Sequence, residues 1–201
     1  MGAKGAVPVL TPAQLLGNLS RAGFGREDIR WRPALVFIAG AVPASILGSR
    51  LFVALPPGTL TRLIGAFLLG VVALRHTPSG RRPVPERLLA PAGMVVGFLS
   101  ALVGSAGPLG AVLFLGLRLP ARAYVATEAV TAVLMHLTKI IVYGRYAAID
   151  RAGLVGGLAL GGAMIIGSWT GRKLVEGLSE EGFGLLVEVL LIVAALSLLV
   201  G

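Results

Sequence analysis

The residues best suited to chemistry lie around a glycine-rich interruption of a long apolar run. This stretch reads Gly104-Ser105-Ala106-Gly107-Pro108. Glycine allows the backbone to leave a helix, and proline suits the first turn of a new one. The start of a helix offers backbone N–H groups and the positive end of its dipole, which together bind anions. The pattern therefore predicts an anion-binding helix break, with a simple kink for close helix packing as the structural alternative.

A polar stripe follows in the next apolar run. The residues that helical spacing brings close to one another are Thr127, Glu128, Thr131, His136, Thr138 and Lys139. A charge at the centre of a membrane span costs roughly 2.5–3.5 kcal/mol, so we expect Glu128 to have a partner or to lie near the interface. His136 fits an interhelical hydrogen bond as well as a substrate contact, and Lys139 fits snorkelling as well as attraction of an anion.

A short helix predicted at residues 11–19 gives a second polar stripe with Gln14, Asn18 and Arg21. The candidate substrate-binding residues are Gly104, Ser105, Gly107, Thr127, His136, Lys139, Gln14 and Asn18. The two histidines lie on different segments without a carboxylate at metal-ligand spacing, and the chain has no cysteine. We therefore expect no enzyme activity, no metal and no cofactor.

The composition indicates the kind of element that must position these residues. The 201-residue chain is 56% hydrophobic and only 13% charged, with a mean hydropathy of +0.89, whereas soluble domains carry about 25% charged residues. Lipid-exposed backbone must form helices or a closed barrel, and these apolar runs lack the polar/apolar alternation of barrel strands. The sequence thus predicts an all-α, polytopic integral membrane protein with the lipid bilayer as a partner. The net charge of +9 comes from basic loop residues that orient the chain, so we expect no nucleic-acid partner.

About six hydrophobic segments are predicted, at residues 33–55, 60–74, 88–117, 121–143, 152–170 and 183–200. The polar, proline-rich loop at 75–87 divides them into two half-repeats, 1–87 and 88–201, and the broken helix falls in the second. A shift of 119 positions places Phe24-Gly25-Arg26 on Tyr143-Gly144-Arg145, and Ile46–Ser49 on Ile165–Ser168. Because residues 88–119 then have no counterpart, we expect the first half to be incomplete at its N-terminus.

Basic residues predict the orientation of the chain. The loops at 21–32, 75–87 and 139–151 are rich in arginine and lysine. Cytoplasmic loops of membrane proteins carry an excess of these residues. If the broken segment and the span after it either both cross the membrane or both turn back, the three loops share one side, and we expect that side to be the cytoplasm.

Several stretches carry a resemblance to a known family. They are Gly97–Leu109, Tyr124–Ala129, Tyr143-Gly144-Arg145, and Gln14–Arg21 leading into Ile29–Arg32. Together they resemble the TauE/SafE sulfite exporter family over nearly the whole chain. The resemblance implies a multi-pass permease of the inner (cytoplasmic) membrane that moves sulfite, sulfonates or related small organosulfur anions. Family members usually carry a glycine motif in each half, whereas only the second half carries it here.

The preferred hypothesis is therefore a permease for small anions. The alternative is a truncated or non-transporting membrane subunit that serves only assembly. The glycines available for such packing are Gly153, Gly157 and Gly161, and Gly167 and Gly171, because small residues four apart let helices approach closely. Assembly into a homo-oligomer stays open under either hypothesis.

Overall fold

A computed structural model describes residues 3–60, 62–63, 85–104 and 107–179, with positions 182, 185, 186 and 189. This part of the chain is helical and has no strands, which confirms the all-α prediction. The six helices are α1 (Ala3–Phe24), α2 (Trp31–Ala54), α3 (Leu89–Val103), α4 (Gly107–Leu115), α5 (Ala121–Arg145) and α6 (Arg151–Glu176).

Within the described residues, four helical stretches are long and apolar enough to cross a membrane: Trp31–Ala54, Glu86–Val103, Ala121–Arg145 and Arg151–Glu176. The polytopic class is thus confirmed with four such spans against about six predicted. The predicted spans at 60–74 and 183–200 lie largely outside the described residues.

The first helix is longer than the sequence suggests. It extends over Ala3–Phe24 and contains Pro8 and Pro12, whereas only residues 11–19 were predicted to be helical. Prolines are tolerated in membrane helices when neighbouring helices and hydroxyl side chains support the backbone. Here α1 packs against α5 and α6, and the Thr11 hydroxyl donates to the carbonyl oxygen of Val7 at 2.8 Å.

Glycines allow close packing between α2 and α3, the most extensive helix contact in the described structure. A Cβ atom at Gly93 would overlap the carbonyl oxygen of Phe37, and one at Gly40 would overlap that of Ala90. The backbones of these two helices therefore touch directly, which small residues permit in membranes.

The glycine stripe predicted on α6 packs against α1. A Cβ atom at Gly157 would overlap the carbonyl oxygen of Val9, and one at Gly161 would lie 2.5 Å from Leu16 Cδ1. Packing is confirmed for this stripe. Gly167 and Gly171 differ, because no described atom lies within 4 Å of a Cβ placed there.

Contacts between helix ends define two ends of the bundle. The N–H of Arg30, just before α2, donates to Thr127 Oγ1 near the start of α5 at 3.0 Å. At the other ends of the same helices, the rings of Phe52 and Tyr143 lie 5.1 Å apart. α2 and α5 are therefore parallel. We call the end with the Arg26–Asp28 turn the Arg26 end, and the opposite one the Arg145 end.

The broken segment enters and leaves the bundle at the same end. Leu102, near the end of α3, packs with Phe52 and Tyr143 toward the Arg145 end. Phe114, near the end of α4, instead packs against Phe37 near the start of α2, with ring centroids 5.1 Å apart. α3 and α4 thus form a hairpin that turns back inside the bundle.

This hairpin decides the orientation of one loop. Because α4 returns to the Arg26 end, α5 starts there and crosses to the Arg145 end. The broken segment turns back whereas the span after it crosses, so the condition for a shared side is not met, and the loop before Arg151 lies opposite the loop at 25–30. The described basic residues still favour the Arg26 end, which carries Arg21, Arg26, Arg30, Arg32, Arg87, Arg118, Arg122, Arg172 and Lys173. The Arg145 end carries Lys4, Arg50, Arg62, Arg145 and Arg151.

Candidate functional site

The predicted helix break is present. α3 ends at Val103, Gly104 follows with a φ of +86°, and α4 begins at Gly107. L-residues with a side chain rarely adopt this backbone conformation. A Cβ at Gly104 would also lie 2.8 Å from Val7 Cγ2 on α1. Both the backbone conformation and the close approach of α1 therefore require glycine at this position.

Two side chains of α5 satisfy carbonyl groups at the broken end of α3. Lys139 is fully buried, and its Nζ donates to the oxygen of Gly104 at 3.0 Å and to Ser100 Oγ at 3.2 Å. One turn along the same helix, the Tyr143 hydroxyl donates to the oxygen of Ala101 at 2.7 Å. The last four carbonyls of a helix lack partners within it, and a cation there also stabilises the negative end of the dipole. Lys139 and Tyr143 thus hold the break in place.

A small cavity of about 150 Å³ lies beside the break, which we call the inner cavity. All six helices contribute to its wall. Its polar lining residues are Gln14, Asn18, Arg21, Ser100, Glu128, Thr131 and His136. The start of α4 also lines it, through Gly107 and Gly110. The cavity therefore combines a helix start with polar groups from α1, α3 and α5.

Two polar atoms at this cavity have no hydrogen-bond partner in the described part of the chain. They are His136 Nδ1 and Gln14 Oε1, and both atoms are buried. Only 5% of the surface of His136 is exposed. Buried polar groups in native proteins are nearly always hydrogen-bonded to protein or to ordered water. These atoms are therefore available to a ligand or to water in the cavity.

An ion pair joins α1 and α5 at the edge of the inner cavity. Arg21 Nη1 lies 3.6 Å from Glu128 Oε2. Arg21 also donates to Asn18 Oδ1, and the Asn18 amide donates to the oxygen of Gln14 at 2.8 Å. The expectation that Glu128 has a partner is confirmed. The sequence placed Arg21 in the polar stripe of α1, but Arg21 was not among the predicted binding residues.

A larger pocket of about 730 Å³, the outer pocket, lies at the Arg26 end of the bundle. Its walls come from the end of α1, the start of α5 and the end of α6. Arg21, Gly107, Glu128 and Met164 line both the outer pocket and the inner cavity. The two spaces therefore adjoin, and the Arg21–Glu128 pair lies at their junction.

The candidate residues from the sequence fall into two groups. Gln14 and Asn18 of one polar stripe, His136 of the other and Gly107 of the glycine-rich break all line the inner cavity. The other described candidates do not line this cavity. Thr127 accepts from the backbone of Arg30, Lys139 donates to the end of α3, and Gly104 ends that helix. Ser105 lies outside the described residues.

The fold and site define an integral membrane protein built around a helix hairpin that turns back beside a polar cavity. The family model for the sulfite exporter TauE/SafE matches residues 1–198. The chain therefore belongs to the TauE/SafE sulfite exporter family, whose members are membrane transporters. No curated protein and no solved structure matches it.

Proposed function

We propose that the chain is a permease that moves a small sulfur-containing oxyanion, such as sulfite or a sulfonate, across the cytoplasmic membrane. The inner cavity is its binding site. The observation that carries this proposal is the buried cavity beside the helix break, where His136 and Gln14 present atoms without partners in the described structure. Buried polar atoms without hydrogen-bond partners lower the stability of the fold unless a ligand or water binds them.

The lining suits a small oxyanion in three respects. The start of α4 brings the positive end of a helix dipole to the cavity, as the broken helices of transporters do near their substrates. His136 supplies an imidazole nitrogen at the buried wall, while Gln14 Oε1 is an acceptor that suits the water accompanying the anion. The volume of about 150 Å³ admits a small anion with some of its water, since one water needs roughly 10–15 Å³.

The outer pocket supplies a route to the cavity from the Arg26 end. The described basic residues are more numerous at that end, which favours a cytoplasmic location for it. The anion then exchanges with the cytoplasm through the outer pocket. Access from the other side requires a second conformation, as in alternating access.

Flux measurements test the proposal. Purified protein in proteoliposomes should transport at least one of radiolabelled sulfite, methanesulfonate and sulfoacetate. His136→Ala should reduce this flux about tenfold or more, because a hydrogen bond to a charged group contributes about 1.5–3 kcal/mol, and Gln14→Ala, which removes an acceptor for the accompanying water, should reduce it less. Thr138→Ala is the matched control, because that hydroxyl donates to Leu134 within α5 and lines neither pocket. Absence of flux for every anion tested, or full flux in both cavity variants, would contradict the proposal.

The second candidate is a membrane subunit that serves only assembly. It is favoured by α6, where the apolar span is only 11% buried within the described structure. The exposed side chains include Val155, Ile166 and Trp169. This candidate predicts that cavity variants leave the phenotype unchanged, whereas Gly162→Leu, on the exposed face of α6 where no described atom lies within 4 Å of a Cβ, abolishes assembly. Cross-linking in native membranes separates the two.

A further inference from the structure

Arg21 is the arginine that reaches both spaces of the proposed pathway. The other arginines of the outer pocket are Arg122 and Arg172, which both contact Glu176, at 3.9 and 2.9 Å. Arg21 projects from the polar face of α1, and Asn18 on the preceding turn accepts from it. Its position is therefore fixed at the junction, beside the start of α4.

The geometry of the contact between Arg21 and Glu128 indicates a weak ion pair. The separation of 3.6 Å exceeds the roughly 2.7–2.9 Å of a charge-assisted hydrogen bond. Arg21 is 37% exposed and Glu128 is 15% exposed, so water screens the pair in part. A guanidinium has five N–H donors in a planar fork, which matches two oxygens of an oxyanion. An anion that arrives from the outer pocket can therefore replace the carboxylate.

We infer that Arg21 recognises the transported oxyanion and that Glu128 occupies Arg21 in the empty state, so that the anion enters the inner cavity by displacing Glu128. This inference rests on the proposed function and adds a specificity-determining residue to it. Exchange of one carboxylate for one anion keeps the charge around Arg21 balanced at every stage. It also makes the passage between the two spaces depend on the presence of substrate.

A double-mutant cycle on anion affinity tests the competition. Binding of methanesulfonate to purified protein should strengthen about two- to fivefold in Glu128→Gln, because the competing carboxylate is gone. It should weaken tenfold or more in Arg21→Gln. The double variant should bind as weakly as Arg21→Gln alone, since Glu128 acts only through Arg21. If Glu128→Gln strengthens binding equally without Arg21, Glu128 acts only as a nearby negative charge, and the inference is wrong.

A matched control accompanies this cycle. Glu27→Gln removes a carboxylate that pairs with Arg26 at 3.9 Å at the same end of the bundle, where both side chains are at least 80% exposed. Affinity should be unchanged in this variant. A similar gain in Glu27→Gln and Glu128→Gln would reflect net charge and would overturn the inference.

A second measurement tests the passage without using transport. The chain has no cysteine, so Ala132→Cys places a lone thiol at the wall of the inner cavity. The anionic reagent sulfonatoethyl methanethiosulfonate should modify this thiol severalfold faster when Glu128→Gln is added. An unchanged rate contradicts displacement of Glu128. If the unmodified protein binds and transports no anion at all, the proposed function fails instead, whereas normal flux with an additive cycle rejects this inference alone.

Discussion

Tyr143 shows how a single hydroxyl supports the helix break. Its O–H donates to the oxygen of Ala101 at 2.7 Å, while its ring packs against Phe52. The carbonyl that it satisfies belongs to the last turn of α3, where no partner exists within the helix. Removal of the hydroxyl leaves the ring contact and the shape of the side chain intact.

We therefore expect Tyr143→Phe to lower the free energy of unfolding by about 1 kcal/mol. Hydrogen bonds between membrane helices average about 0.6 kcal/mol, and a buried acceptor without a partner costs about 1–3 kcal/mol. The measurement is a detergent-denaturant titration of the purified protein. Tyr146→Phe is the control, because Tyr146 is 52% exposed. Equal stability of the two variants would mean that the Ala101 carbonyl finds another donor.

The role of Lys139 could not be predicted from the sequence. The sequence allowed snorkelling or attraction of an anion, and both interpretations place the ammonium group in water or near a ligand. In the structure it contacts the oxygens of Ser100 and Gly104, which lie 39 and 35 positions earlier in the chain. A buried charge keeps its place only where such partners surround it. Which carbonyls lie opposite a lysine depends on where α3 ends and how α5 packs, and neither follows from local spacing.

At the scale of helices, Gly104 is the position where sequence and structure agree most closely. The glycine-rich stretch predicted an interruption, and α3 does end there, with a positive φ at Gly104. The neighbour that also excludes a side chain, Val7, lies on α1 and has no signal in the sequence. The conformational requirement was thus predictable, whereas the steric one was not.

Gly104→Ala should destabilise the protein by about 1–2 kcal/mol through the left-handed backbone conformation, and by more through overlap with Val7. Val7→Ala in the same chain should recover only the steric part. Unfolding titrations of the single and double variants separate the two contributions. Gly144→Ala is the control, because nothing lies within 4 Å of a Cβ there and alanine favours a helix. Full recovery in the double variant would show that the backbone conformation costs nothing.

Helix packing was predictable only in part. The glycine spacing of α6 indicated the contact of Gly157 and Gly161 with α1, yet the same spacing at Gly167 and Gly171 has no described atom against it. The closest contact among the described glycines, at Gly40 of α2 against Ala90 of α3, was not singled out. Glycine spacing shows that a close approach is possible on one face, but the partner must present small residues at the same height.

The helix bounds fit the repeat seen in the sequence. A shift of 119 positions carries α1 onto residues 122–143, within α5, and α2 onto 150–173, which overlaps nearly all of α6. The contacts correspond as well, because α1 packs on α6 and α2 packs on α5. When α1 is exchanged with α5 and α2 with α6, the contact between α1 and α6 becomes the contact between α5 and α2. The two half-repeats and their boundary at residue 87 stay a prediction, with which these helix bounds agree.

The hairpin of α3 and α4 determines how the whole molecule lies in the membrane. It places residues 25–30 and Arg118 at one end of the bundle and Arg151 at the other. Sequence counting left this arrangement open, because an apolar run of about thirty residues is long enough to cross a membrane or to turn back within it.

The native chain has no cysteine, so introduced thiols can report this topology directly. Glu27→Cys and Arg118→Cys should react with a membrane-impermeant maleimide from the same face of the membrane. Arg151→Cys should react only from the opposite face. The excess of basic residues at the Arg26 end predicts that Glu27→Cys and Arg118→Cys are protected in intact cells and labelled in inverted vesicles. Labelling of Arg151→Cys and Glu27→Cys from one face would mean that α3 and α4 cross the membrane in succession, and it would remove the hairpin on which the inner cavity depends.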